Sequence, residues 1–217
     1  MTEDPETARQ IAELARDERP LLVLDVDEVV LEFIRPFTGY IGTLGLELRP
    51  DSFRLHGNIF DQRTQAPVPN ERVSELIEGF FPVQADWQTA PAGAAEAVAT
   101  LAENVEIVLL TAMPHRHRAT RRALLDQLGF PYPLLTTERA KGPALLQLRG
   151  EHPRPVAFVD DLAHNLTSAR ASVADAHLFH LMAHRQLRAL MPPLPEGIVA
   201  AEDWPDAAPK IAAALGL

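Results

Sequence analysis

The stretch Leu21-Leu22-Val23-Leu24-Asp25-Val26-Asp27 decides the fold, because four large apolar residues give way without a turn to two carboxylates one residue apart. An unbroken apolar run of this length reads as a strand covered on both faces, the habit of parallel sheets. Its acidic end marks the carboxyl edge, where open α/β folds bind ligands. Residues two apart on a strand point the same way. A strand continuing through Asp27 would bring both carboxylates into one small space, where they can differ in protonation or share a cation. Taken alone, Asp-x-Asp also fits an acidic corner between strand and loop that caps a helix.

Working outward, helical spacing from Thr7 to Arg19 precedes this strand. Between about residues 36 and 88 the pattern breaks up, with Gly39, Gly42 and Gly45, a hairpin expected across Phe53 to Val68 and a helix expected at Glu71 to Phe81. Beyond it strands and helices alternate regularly: helix at Gly93 to Glu103, strand at Val105 to Leu110, helix at His117 to Leu128, strand near Pro133 to Leu135. Lys141-Gly142-Pro143 opens another helix, with proline near the first helical position. Val156 to Val159 and His177 to Leu181 are further strands, and Pro205 to Leu215 a final helix. Repeated β-α units predict an α/β fold with a doubly wound, mainly parallel sheet and helices on both faces. The irregular segment reads as an insertion, so that residues 1–35 and 89–217 form the core.

With 217 residues, 47% of them hydrophobic, the chain is long enough for one good core and a modest second lobe. A formal charge of −10 argues against general binding to nucleic acid or anionic membranes, whose charge it would repel. No stretch reaches the roughly 18 to 20 apolar residues of a membrane span, and the acidic start Met1-Thr2-Glu3-Asp4-Pro5-Glu6 is unlike a secretory signal, which predicts a cytoplasmic protein. There is no cysteine, so disulfides, thiolate metal sites and cysteine nucleophiles are excluded. The oligomeric state is not written in these residues.

Three strand ends carry chemistry. Asp25 and Asp27 follow the first. Thr111-Ala112-Met113-Pro114 follows Val105 to Leu110 and places a hydroxyl and backbone N–H groups where an anion such as phosphate would sit, although Thr111 alone also suits a helix cap. Asp160 and Asp161 follow Val156 to Val159, with Asn165 beyond. So many carboxylates in a partly desolvated cleft call for a cation, and a hard, oxygen-loving ion such as Mg²⁺ fits.

In this order the chain resembles the haloacid dehalogenase superfamily across nearly the whole predicted core. Leu24-Asp25-Val26-Asp27-Glu28-Val29-Val30 resembles the first motif, Leu110-Thr111 the second, Lys141 before its helix the third, and Val159-Asp160-Asp161 with Asn165 the fourth. Glu28 departs from the pattern, since many members have glycine there; pointed inward it would repel a phosphate, so it is expected to turn away. The resemblance implies Asp25 as a nucleophile forming an aspartyl-phosphate and Asp27 as general acid and base. It also implies Mg²⁺ held by the Asp25 carboxylate, the Asp27 carbonyl and one of Asp160 and Asp161, and Thr111 and Lys141 holding phosphoryl oxygens. Asn165 would orient an acid or satisfy its own helix start. The second aspartate favours phosphoester hydrolysis over dehalogenation.

The implied activity is that of a Mg²⁺-dependent phosphatase acting on a small phosphorylated metabolite, with residues 36–88 as a cap that excludes water and selects substrate. A nucleotidase or phosphomutase on the same core, or a binding protein for phosphorylated ligands without turnover, are the alternatives. Other features weigh less. His115-Arg116-His117-Arg118 either recruits an anion or is a solvated basic turn, and a strand-to-loop assignment scatters His177, His180 and His184 too widely for a metal site. Leu187, Leu190 and Met191 read as packing residues. Arg35, Tyr40, Arg54, His56 and Asn58 offer either substrate contacts from the cap or ordinary surface roles.

Overall fold

The computed structural model describes residues 3–15, 17–151 and 154–217. β1 (Leu21–Leu24) is flanked by β4 (Glu106–Thr111) and β6 (Val156–Asp160). Together with β5 (Leu134–Thr136), β7 (His177–Leu181) and β8 (Ile198–Ala201) they make one six-stranded sheet in the order β5-β4-β1-β6-β7-β8, every pair parallel. The chain builds outward from β1 through β4 to β5, then returns to the other side of β1 for β6. That reversal opens a crevice beyond the carboxyl ends of the central strands.

The unbroken apolar run of β1 follows from burial on both faces. Leu22 and Leu24 join one hydrophobic cluster with α4 (Ala94–Ala102), α5 (Arg118–Gln127) and α9 (Trp204–Leu215). Leu21 and Val23 join a second with α6 (Lys141–Arg149) and α7 (Ala163–Ser172). The strand's two-residue alternation thus feeds two cores at once.

A third cluster lies outside the sheet. It is built from α2 (Ile34–Thr43), the antiparallel pair β2 (Leu46–Leu48) and β3 (Ile59–Asp61), α3 (Asn70–Phe80) and a 3₁₀ turn at Phe81–Asp86, all between β1 and β4. Phe33, Phe37, Tyr40 and Phe80 pack ring against ring in it. Met113, Met182 and Leu187 complete it from the sheet side, so the inserted segment shares a core with the loops beyond the strands.

Several expectations are corrected. α1 (Pro5–Ala12) stops well short of Arg19, and Arg16 lies outside the described residues. The backbone carbonyls of Asp17 and Arg19 accept from the Arg154 guanidinium instead, drawing this stretch across the end of the sheet into β1. The first strand does not continue through Asp27: after Asp25 N–H donates to Val159 O at 2.9 Å, the N–H groups of Val29, Val30 and Leu31 all turn back to Val26 O. The hairpin expected across 53–68 forms only over its second half, where 59–61 turns back on 66–68 through Asp61 N–H to Ala66 O and Val68 N–H to Ile59 O; on its other side 59–61 pairs with 46–48. The loop between is held by the buried Asn58 amide, which donates to Ser52 O, Ser52 Oγ and Arg54 O. β8, on the sheet's edge, and the short helix α8 (Arg185–Arg188) were not anticipated. Among the described residues no helix is long and apolar enough to cross a membrane.

One close approach fixes a site element. α6 and α7 meet at Gly142, where an added Cβ would lie 2.2 Å from Ser168 O and 2.6 Å from Ser172 Oγ. Only a residue without a side chain fits there, and it stands next to Lys141. Gly142→Ala is expected to push the helices apart and cost about 1–3 kcal/mol, read as a lowered urea midpoint at unchanged slope; an unchanged midpoint would mean the contact is slack.

Candidate functional site

Asp25 is the first residue past β1, held in register by its N–H bond to Val159 O, and its carboxylate faces those at the end of β6. One oxygen from each of Asp25, Asp160 and Asp161 lies within 4.8 Å of the others, all three residues buried. The Lys141 ammonium, at the first position of α6, stands 2.6 Å from both Asp25 Oδ1 and Asp160 Oδ2. It is 1% exposed, and burial works against its charge. The Asp160 and Asp25 charges outweigh burial and raise its pKa.

The two consecutive aspartates at the end of β6, Asp160 in it and Asp161 just past it, differ in environment. Asp160 is fully enclosed and fully engaged: besides Lys141, it accepts from Asn165 Nδ2 at 3.0 and 3.2 Å and from Leu162 N–H at 2.9 Å. Of the two roles open to Asn165, the structure shows the orienting bond to an acid. Asp161 instead faces the open crevice. Burial first, then the charges of Asp160, Asp25 and Glu28, push its carboxyl well above the usual range, with Lys141 opposing. Burial likewise pushes Asp25 up to about 7, with Lys141 pulling down and Asp160 pushing up. Buried carboxylates that resist ionisation together are a donor set short of positive charge. Oxygen ligands gathered this closely fit a hard divalent cation such as Mg²⁺.

Asp27 stands apart from that trio. Its Oδ1 accepts from Gln88 Nε2 at 2.9 Å and from Arg121 Nη1 at 2.8 Å. Arg121 is fully buried on α5, its guanidinium 5.9 Å from the Phe81 ring centre, and its Nε and Nη2 meet no acceptor among the described residues. Neither Gln88 nor Arg121 was singled out from the sequence. For Arg121 a signal existed: it shares a helical face with Leu124, Leu125 and Leu128, and an arginine within an apolar stripe calls for a buried carboxylate. Gln88 carried none.

Glu28 does not turn fully away: backbone N–H groups take up its carboxylate, but the residue lines the cleft over the acids and its charge acts on Asp161. Its φ is +63°, a left-handed conformation costly for any residue with a side chain. Its carboxylate accepts from Phe33 and Ile34 N–H at 2.8 and 2.7 Å, at the start of α2, and from His184 N–H at 2.7 Å. Burial raises its pKa although these three bonds oppose the rise.

A cleft of about 560 Å³ opens above these acids, with Asp25, Asp27, Asp161, Thr111 and Ala112 on its floor. Lys141 is not part of its lining; it reaches the cleft only through Asp25 and Asp160. The basic run after β4 is spent on structure: His115 pairs with Asp4, Arg116 and His117 with Glu78 of α3, and Arg118 Nε donates to Leu134 O. His177 is exposed, His180 Nε2 bonds Asp161 O at 2.8 Å, and His184 caps α8 through Leu187 N–H. Leu187 is buried and Met191 packs beside it, whereas Leu190 is exposed. Of the residues in the inserted segment, Arg54 and His56 line the cleft; Arg35 pairs with Glu32, Tyr40 is in the aromatic stack and Asn58 holds its loop.

No family model and no curated protein matches this sequence. Solved structures do match by shape. A D,D-heptose 1,7-bisphosphate phosphatase from B. bronchiseptica, complexed with magnesium and phosphate, superposes with a TM-score of 0.55 at 17% identity, covering 89% of this chain and 98% of that one. A haloacid dehalogenase-like hydrolase from Streptococcus pneumoniae gives 0.56 at 12% identity over 89% and 96%. A magnesium-bound protein from Bacillus subtilis described as a HAD-hydrolase gives 0.59 at 10% identity over 93% and 100%. From the strand order, the crossover at β1 and these superpositions, the chain has the fold of the haloacid dehalogenase-like hydrolases.

Proposed function

We propose that this protein is a Mg²⁺-dependent phosphatase that hydrolyses a small phosphomonoester through an aspartyl-phosphate on Asp25. The observation that carries the reading is the cleft floor, where Asp25 just past β1 and Asp161 just past β6 face one space beside Asp27. The neighbours solved with magnesium, one of them also with phosphate, support it. Asp25, Asp161 and the Asp27 carbonyl would hold the metal, which when bound supplies positive charge that neutralises the acids and the incoming phosphate.

An Asp25 oxygen attacks phosphorus, the bond to the ester oxygen breaks, and the departing alkoxide takes a proton from Asp27. Water then attacks the phosphorus of the aspartyl-phosphate while Asp27 takes its proton back, releasing inorganic phosphate and the free carboxylate. Each step is an in-line displacement aided by general acid or base. Arg121 and Gln88 position Asp27, gripping one oxygen and leaving the other for the proton transfer. Lys141 fixes Asp25 and offsets its charge and that of Asp160, while Thr111 at the end of β4 offers a hydroxyl to a phosphoryl oxygen. Residues 36–88 act as a cap over the cleft, joined to the core through Glu78 with Arg116 and His117, while the start of α2 leading into the cap is held by the bonds of Phe33 and Ile34 N–H to Glu28.

Phosphate release from a panel of phosphomonoesters, with and without Mg²⁺, tests the reading. Turnover is expected only with the metal and is lost in Asp25→Asn; release that persists in that variant would overturn the nucleophile assignment. Asp27→Asn should lower kcat by about 10²–10⁴ for an alkyl phosphate. The loss should be smaller for 4-nitrophenyl phosphate, whose phenolate departs without a proton. Equal losses would remove the acid role from Asp27.

The raised carboxyls also predict how stability varies with pH. Asp25 binds its proton more tightly folded than unfolded, so metal-free stability falls as pH rises from the ordinary aspartate value of 3.8 through about 7. A cation that binds the ionised form offsets this, and Mg²⁺ should raise the thermal midpoint more at pH 8 than at pH 5.5. Asp161→Asn should raise the metal-free midpoint at pH 8 by roughly 2–4 °C, the equivalent of about 1 kcal/mol, and abolish the Mg²⁺ shift. A metal shift that survives in Asp161→Asn would exclude that carboxylate as a ligand.

A further inference from the structure

The cleft has an acidic floor and apolar walls. Phe33, Ile34, Phe53, Leu55, Ile77, Phe81 and Met182 line it. All seven belong to the third hydrophobic cluster or pack against it, so the cleft wall is the open face of a core. Phe53 and Leu55 sit on the loop between β2 and β3, whose backbone is held by three bonds from the Asn58 amide. The apolar side chains are presented on a braced support, without a large ordering cost on binding.

Besides the acids, Thr111 and Glu28, the polar side chains of the lining are Arg54, His56, His164 and Asn165, and Asn165 is engaged with Asp160. His56 Nε2 lies 3.0 Å from Ser74 Oγ. Arg54 is exposed at the cleft, 5.8 Å from the Phe53 ring centre, and among the described residues no carboxylate reaches it. In a chain of net charge −10 it is a cation free to meet an approaching anion. Those hydroxyls of a polyhydroxylated leaving group that lie against Phe53, Leu55, Ile77 and Phe81 would lose water with no partner on these side chains, Arg54, His56 and His164 being the polar groups nearby in the lining. An apolar ring would gain from the same surface. About 560 Å³ leaves room for such a ring beyond a phosphate on the floor.

We propose that the substrate's leaving group is an apolar, ring-bearing alcohol, so that the preferred phosphomonoesters are of the arylalkyl class, and that Phe53, Leu55 and Ile77 set this preference. The inference rests on the phosphatase reading for turnover, but the wall also makes a claim about binding alone.

The test compares 2-phenylethyl phosphate with glycerol 3-phosphate and a hexose 6-phosphate on the Mg²⁺-loaded protein. The leaving oxygen is an alkyl alcohol in each, so the intrinsic advantage of a phenolate is removed. In kcat/KM the arylalkyl ester should lead by about 10–200-fold, and Phe53→Ala and Leu55→Ala should each shrink that ratio severalfold. Thermal midpoints would establish that both variants are folded. In parallel, titration calorimetry compares 2-phenylethylphosphonate with methylphosphonate, neither of which can be hydrolysed. Tighter binding of the former, weakened in Leu55→Ala, supports the wall assignment even if no ester is turned over, in which case the phosphatase reading fails alone. Equal or greater kcat/KM for the polyol phosphates, or equal binding of the two phosphonates, overturns the inference and leaves the phosphatase reading standing.

Discussion

The site depends on burying one ammonium among carboxylates that would otherwise repel one another. Lys141 lies 2.6 Å from Asp25 and from Asp160, yet burial and mutual repulsion still hold the carboxyls of Asp25 and Asp161 above their ordinary range. A lone cation in that position is a strong constraint, since removing one member of a buried charge set leaves the others uncompensated. It requires β6 beside β1, which the crossover supplies, and α6 pressed to α7, which Gly142 permits. The residual shortage of positive charge is what makes a divalent cation an appropriate completion.

A second set of contacts keeps Asp27 out of that cluster. Two residues past Asp25, it could have added a further charge to the same repulsion; the turn back onto Val26 O and the grip of Arg121 and Gln88 give it separate partners. The two carboxylates thus share one cleft while keeping separate partners. Glu28 links this turn to two other parts of the molecule, the start of α2 and the loop after β7. Its left-handed backbone is tolerated because three N–H groups, at the helix start and in that loop, would otherwise need another acceptor.

The strands and acids were legible because they are written locally. Buried parallel strands show as short apolar runs, and Asp25, Thr111 and Asp160 follow such runs directly. The expected boundary of β1 failed because period-two reasoning cannot see Asp25 leaving the ladder after a single bond to Val159 O. α1 was drawn too long because the carbonyls of Asp17 and Arg19 take their bonds from Arg154, more than 130 residues away. Lys141 was read as a direct phosphate contact by resemblance; which carboxylates it would meet depends on the packing of two helices. The role of Asn58 was hidden for a related reason, since its three bonds fold a loop whose residues have no periodic pattern.

The acids and the apolar walls of the cleft come from different parts of the chain. The acids stand on strand ends whose side chains feed the two cores of the sheet, whereas the cleft walls grow from a third core built mostly by residues 33–87. Substitutions at Phe53, Leu55 or Ile77 alter the surface a ligand meets without touching the bonds that hold Asp25, Asp160 and Lys141. The converse does not hold: Glu28 joins the turn after β1 to the start of α2, so disturbance of that turn passes directly into the inserted segment. The strained residue beside the acids is therefore the mechanical link between the acidic and the apolar parts of the cleft.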